Sequence, residues 1–192
     1  ALMRIVEAGR KGETFWVSRG DDSGTHIKEK DIWAIIGFKW NEIRQEGWFM
    51  ESGTGMGKTL LIAEEKSAYT LADLGTYLKY SRDNLITLAI VSGERKELLN
   101  VYSAIAVNRT YNPEVNFEAA ITFIKFLVSE KGQRIISQFG RDIYQQSLFY
   151  SAAQPLKQNA DSQVAGWIRE IAYFEGKECP ERFQDDHKEL YD

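Results

Sequence analysis

The 192 residues carry 43% hydrophobic and 27% charged side chains, the balance of an ordinary globular chain long enough for one domain or two small lobes. A net charge of -4 and five scattered tryptophans provide no basic field for a nucleic-acid backbone, and no apolar run approaches the roughly 20 residues that a membrane-crossing helix needs. The single cysteine, Cys179, excludes an intramolecular disulfide and a thiolate-rich metal site.

In chain order, residues 15–18 form an apolar, aromatic run that predicts a strand. A polar turn follows, and Ile27, Ile32, Trp33, Ile35 and Ile36 predict a helix that ends near Gly37. Residues 48–50 predict a second short strand, leading into the glycine-rich 52–57 and a helix over 58–66. A third strand over 67–71, a helix over 74–80 opened by Asp73, and a fourth strand over 85–91 complete the series. Strand, turn and helix repeated in this way predict an α/β architecture. The charged stretch 93–100 is the expected lobe boundary, and 102–108 predicts one more strand. Phe117, Ala120, Ile121, Ile124 and Leu127 fall on one face of a helix over 115–128, and 131–139 predicts another. Beyond Gly140 strand signals thin out, and 164–174 predicts an amphipathic helix within a polar, acidic tail.

The segment Val17-Ser18-Arg19-Gly20-Asp21-Asp22-Ser23-Gly24-Thr25-His26 carries the most chemistry. A strand ends in an arginine, a glycine keeps the backbone open, and small hydroxyl residues stand where the next helix exposes unpaired N–H groups. Free helix donors, their partial positive charge and a planar guanidinium fork together suit a tetrahedral anion. Four to six such donors, each contributing roughly 1.5 to 3 kcal/mol, are compatible with micromolar binding. The same spacing also fits an Arg19 paired with Asp21 or Asp22, and a Ser23 or Thr25 that only caps the helix. Spacing alone does not decide between these.

A second motif, Ser52-Gly53-Thr54-Gly55-Met56-Gly57-Lys58-Thr59, reads as a phosphate-binding loop except that its first required glycine is Ser52. No later apolar strand ends in an aspartate placed to hold magnesium. Catalysis has little support, since there is no Gly-x-Ser-x-Gly elbow, and neither His26 nor His187 has a second ligand at metal spacing. A binding module without metal or cofactor is the expectation.

The run 15–26 above, then Gly55-Met56-Gly57-Lys58-Thr59-Leu60, then Ala68-Tyr69-Thr70-Leu71-Ala72-Asp73 with Gly75-Thr76, is similar to tungstate-binding proteins of ABC importers. The resemblance extends through Asn100-Val101-Tyr102, Val107-Asn108, Gly132-Gln133, Ile136 and Phe139, to about residue 150. It implies a type II periplasmic-binding-protein-like fold, two α/β lobes closing on tungstate or molybdate, an ABC permease as membrane partner, and a periplasmic or extracytoplasmic location. By position Arg19 becomes the gripping arginine, Ser18, Ser23, Gly24 and Thr25 further donors, and Thr70 a supporting one. The chain then divides into an inserted second lobe over 1–100, a return segment to the first lobe over 101–150, and a helical tail over 151–192. The family's hydroxyl-rich opening turn does not precede Val17 and Leu74 stands where the family has arginine. The N-terminal part of the first lobe is therefore expected to be missing, its donors supplied by chain not present here or by a second copy in a homodimer. An oxyanion sensor domain is the alternative use of the same chemistry.

Overall fold

The computed structural model describes residues 1–92, 95–157, 162–184 and 187–191 of the chain. Tertiary contacts divide it into a first unit, Ala1–Leu98, and a second, Leu99–Asp192. Gly93 and Glu94 of the expected boundary stretch lie outside the described residues.

The first unit holds a parallel three-stranded sheet, β1 (Trp16–Ser18), β2 (Phe49–Glu51) and β3 (Tyr69–Thr70), in the order β2-β1-β3. Parallel pairing follows from the connections, because each strand reaches the next only through helical crossovers. Helix α1 (Leu2–Arg10) precedes β1, while α2 (Gly24–Ile35) and α3 (Trp40–Ile43) join β1 to β2. Helix α4 (Met56–Glu65) joins β2 to β3, and α5 (Leu74–Arg82) follows. Residues Trp16 and Val17 of β1 pair with Phe49 and Met50 on one side and with Tyr69 and Thr70 on the other. All three residues of β1 are buried, as a central strand of a parallel sheet requires.

The main core is aromatic. Trp33 on α2 meets Trp16 edge-on at 5.0 Å and Phe49 at 5.9 Å, and Ile5, Val6, Ile43 and Trp48 close around them. Helix α1, for which the sequence reading had no expectation, belongs to this core. Its Gly9 lies so close to Trp48 that an added Cβ would sit 2.4 Å from the indole ring. On the far side of the sheet Val17 packs with Ala63 and Ala68.

Two expected strands are absent from the described residues. Over 85–91 the backbone is held by a side chain instead of a ladder: the Glu64 carboxylate accepts the N–H groups of Thr87 and Leu88, at 2.8 and 3.1 Å, and the Thr87 hydroxyl at 2.6 Å. Residues 102–108 also form no strand, and Ile105 is 85% exposed. Apolar runs of this length carry no sign of whether a neighbouring strand exists to pair with them.

The second unit is helical where it is regular, with α6 (Phe117–Val128), α7 (Glu130–Gln138), α8 (Arg141–Tyr144), α9 (Ala153–Lys157) and α10 (Gln163–Ala172). The apolar face read for α6 is the face turned inward, with Ile121 buried and Phe117, Ala120, Ile124 and Leu127 half-buried. Ser129 ends α6 and caps α7 by accepting the Gly132 N–H at 3.1 Å. On α10, Ala165 and Ile168 are buried while Ile171 is exposed.

The contact between Gly9 and Trp48 makes a direct prediction. Alanine is intrinsically the better helix former by about 1 kcal/mol, yet Gly9→Ala is expected to destabilise by roughly 1 to 3 kcal/mol, because its methyl group overpacks the indole. Urea denaturation checks the sign.

Candidate functional site

The carboxyl ends of the three strands gather the loops that precede α2, α4 and α5. In a sheet ordered β2-β1-β3 the connections diverge between β1 and β3, and the crevice outside such a switch point is where open α/β sheets hold ligands. Arg19 directly follows β1, and Thr70 ends β3. Both carry a buried polar atom without a hydrogen-bond partner, Arg19 Nε and Thr70 Oγ1. Buried polar atoms are otherwise almost always satisfied, so these two, with His26 Nε2 as a third on α2, call for an explanation.

Arg19 lies beside Asp21, with Nε 2.7 Å from Oδ2, an ion pair without hydrogen-bond geometry. The turn that follows is built for tight backbone. Gly20 adopts φ +66°, and a Cβ there would meet the Glu51 Cβ at 2.8 Å, so only glycine fits. Asp22, not a glycine, is also left-handed at φ +55°. Its conformation is held by His26, whose Nδ1 accepts the Asp22 N–H at 2.9 Å, and by Lys30, whose ammonium lies 2.7 Å from the Asp22 carboxylate. Burial, and after it the Lys30 charge, keeps His26 below the ordinary histidine value. The imidazole is therefore a neutral acceptor at neutral pH.

Ser23 then caps α2, its hydroxyl accepting the His26 N–H at 3.4 Å. Gly24 and Thr25 form the first turn, where backbone N–H groups have no preceding turn to bond, and no acidic residue occupies that turn. The N-terminus of α4 has no side-chain cap and, like that of α2, no acidic residue in its first turn. Helix α5 differs, since Asp73 accepts the Thr76 N–H at 2.8 Å and so places its own negative charge at the helix start. The positive ends left for an external anion are those of α2 and α4.

Ser18 faces the other way. It is fully buried, and its hydroxyl donates to Glu29 Oε2 at 2.8 Å. Glu29, which the sequence reading passed over, is only 2% exposed. Its other oxygen accepts Trp16 Nε1 at 2.6 Å and Trp33 Nε1 at 3.4 Å, and the Arg19 N–H also reaches the carboxyl group. Burial outweighs these donors and pushes Glu29 up to about 7. The signal was present in the spacing: His26, Glu29, Ile32 and Trp33 recur every three to four residues, so Glu29 stands on the core face of α2.

The glycine-rich loop after β2 is tied down by its hydroxyls. Ser52 Oγ donates to the Arg19 carbonyl at 3.0 Å and lies 2.8 Å from Thr59 Oγ1. Thr59 is wholly buried, with its hydroxyl also near the Gly55 carbonyl at 3.3 Å. Ser52, which stands where a phosphate loop needs glycine, thus links this loop to the Arg19 turn, and Lys58 is exposed. Among the described residues no cluster of His, Cys, Asp and Glu suits a metal ion, and no helix is long and apolar enough to cross a membrane.

Residues 7–131 match the PBP superfamily domain. The tungstate-binding protein TupA of Peptoclostridium acidaminophilum is 41% identical over 150 residues, covering 78% of this chain and 49% of that protein. A putative ABC transporter anion-binding protein of Haloferax volcanii is 44% identical over 144 residues, covering 72% of this chain and 39% of that protein. Among solved structures, the tungstate binding protein TupA of Desulfovibrio alaskensis aligns with a TM-score of 0.62 at 38% identity, over 72% of this chain and 54% of that one. The chain thus spans about half the length of these relatives or less.

The buried Glu29 carboxyl generates a stability prediction. Its value in the fold, about 7, lies above the 4.5 of a free glutamate, so the stabilisation is complete below pH 4.5 and is lost as pH rises through 7. The loss is on the order of 3 kcal/mol. Melting temperature is expected to fall between pH 5 and pH 8 in the wild type, and the Glu29→Gln variant is expected to lose most of that slope.

Proposed function

This chain belongs to the PBP superfamily, and on that premise we propose that it binds a tetrahedral oxyanion, tungstate or molybdate, as part of the substrate-binding component of an ABC importer. The observation that carries the reading is a Thr70 Oγ1 buried without a hydrogen-bond partner at the end of β3, together with the Arg19 guanidinium, held by Asp21, at the end of the neighbouring β1. An anion between them would accept from the guanidinium, from the Thr70 hydroxyl, and from the first turn of α2 at Gly24 and Thr25. Ser23 supports this set by capping the same helix, and Ser18 supports it from beneath by fixing the end of β1. The names of the relatives, tungstate-binding and anion-binding proteins, agree with that donor set.

The chemistry explains the choice of anion class. Tungstate and molybdate are both fully deprotonated dianions near neutral pH, so a site that only donates hydrogen bonds favours them over protonated phosphate and separates them poorly from each other. Delivery to a membrane permease, and a periplasmic or extracytoplasmic location, follow as parts of the same proposal. Residues 1–100 would form one lobe of the binding protein, 101–150 the return toward the other, and 151–192 a helical tail. Nucleotide binding by the loop after β2 is not favoured, because the Thr59 hydroxyl that would meet magnesium is buried against Ser52 and Gly55.

Titration calorimetry with tungstate tests the assignment. Arg19→Ala is expected to weaken binding at least tenfold, about 1.4 kcal/mol or more, with the circular dichroism spectrum unchanged. Arg19→Lys is also expected to bind more weakly, because a point charge does not reproduce the guanidinium fork. An unaltered dissociation constant in both variants contradicts the role of Arg19.

A further inference from the structure

Glu29 is an anionic residue placed directly behind a proposed anion site, and its hydrogen bonds occupy donors at the root of that site. It accepts a hydrogen bond from the Ser18 hydroxyl at 2.8 Å and is stabilised by the Arg19 backbone N–H, the two groups that join β1 to the anion turn. The remaining contacts come from the indoles of Trp16 and Trp33. The charged and titratable groups nearest it in the sequence of the surrounding elements are Arg19 after β1, and His26, Lys28, Lys30 and Asp31 on α2; β2 adds Glu51, paired with Arg44, and α1 and α3 add Arg4, Glu7, Arg10 and Glu42. Among the described residues none of these forms an ion pair with Glu29: Arg19 lies on Asp21, Lys30 on Asp22, and Glu51 on Arg44. An ionised Glu29 is therefore a buried charge whose only compensation is hydrogen bonds, and a dianion arriving at Arg19 would add like charge next to it.

Protonation resolves both difficulties. A neutral carboxyl no longer carries an uncompensated buried charge or repels the anion, and with its proton on Oε2 it keeps the contact to Ser18 Oγ with the donor reversed. We propose that Glu29 is a positioning residue whose protonation accompanies anion binding at the Arg19 turn, so that each dianion captured brings one proton from solvent onto this carboxyl group. The proposal rests on the oxyanion reading above and adds a linkage to it. Burial already holds the group near half-protonation at about pH 7, so the linked proton falls within an accessible pH range. By reciprocity, an anion that favours the neutral carboxyl raises its affinity for a proton, and a proton raises the affinity for the anion.

The test is titration calorimetry of the 192-residue chain with sodium tungstate from pH 7 to pH 9, repeated in two buffers of different ionisation enthalpy to count protons. His26, held below the ordinary histidine value, is neutral throughout this range. The wild type is expected to lose affinity by up to tenfold per pH unit above 7 and to take up between a half and one proton per anion near pH 8. Glu29→Gln, which mimics the neutral acid, is expected to bind with a pH-independent constant and no proton uptake. A purely structural Glu29 would leave the proton count at zero. Tight binding in the wild type with a flat pH profile and no uptake overturns the linkage and leaves the oxyanion reading standing. Folded wild type that binds neither tungstate nor molybdate at any pH overturns both. Should Glu29→Gln fail to fold, the wild-type proton count alone decides.

Discussion

A carboxyl group buried without a counter-cation joins β1 to α2, and the shape of the proposed anion site follows from it. Glu29 gathers Trp16 and Ser18 from the strand, Trp33 from its own helix and the first backbone N–H beyond the strand. A single group with several donors from two elements fixes their separation more tightly than apolar packing does, because each hydrogen bond has a distance and a direction. The cost is desolvation, which the donors reduce and the raised proton affinity reduces further. What emerges at the sheet edge is an Arg19 whose backbone is anchored from below.

Above that anchor the turn divides its work among residues that never need to touch a ligand. Gly20 allows the backbone to pass Glu51, the neutral His26 imidazole holds Asp22 in a left-handed conformation, and Ser23 starts α2. Asp21 and Asp22 are occupied with Arg19 and Lys30, which reconciles acidic residues with the proposed anion site: they would position cations and not face the ligand. The α2 and α4 starts remain free of acidic side chains, whereas α5 is neutralised by its own Asp73. In the proposed site, electrostatic selectivity would follow from which helices carry a carboxylate at their start.

Much of the first unit was legible in the sequence, because strand, turn and helix alternate there and each change of period is marked by a glycine or a small polar residue. The three strands, α2, α4 and α5 follow from such marks, as does the inward face of α6 in the second unit. The strands expected at 85–91 and 102–108 do not form, since a run such as Ile105-Ala106-Val107 has the same composition whether or not a neighbour is present to complete its ladder. Among the candidate site residues, the turn after β1 was readable as a turn because Gly20 and the small polar residues that follow have few other uses together. The direction of Ser18 and the role of Glu29 were not, because facing inward or outward at a strand end depends on the strand's register against α2, and a glutamate on a helix is ordinarily a solvated residue. The α2 spacing of His26, Glu29 and Ile32 contained the hint, and only the coordinates show how many donors converge there.

The central claim is that the edge formed by β1, β3 and α2 receives an oxyanion and that the loop after β2 does not receive a nucleotide. A thermal-shift comparison of the chain with tungstate, molybdate, sulfate, phosphate and Mg-ATP tests it most directly, because a ligand at a hundred times its dissociation constant stabilises a fold by about 2.7 kcal/mol. A clear rise is expected with tungstate and molybdate, little with the smaller sulfate or with partly protonated phosphate, and none with Mg-ATP. A rise with Mg-ATP alone, or silence with both tungstate and molybdate, would contradict it.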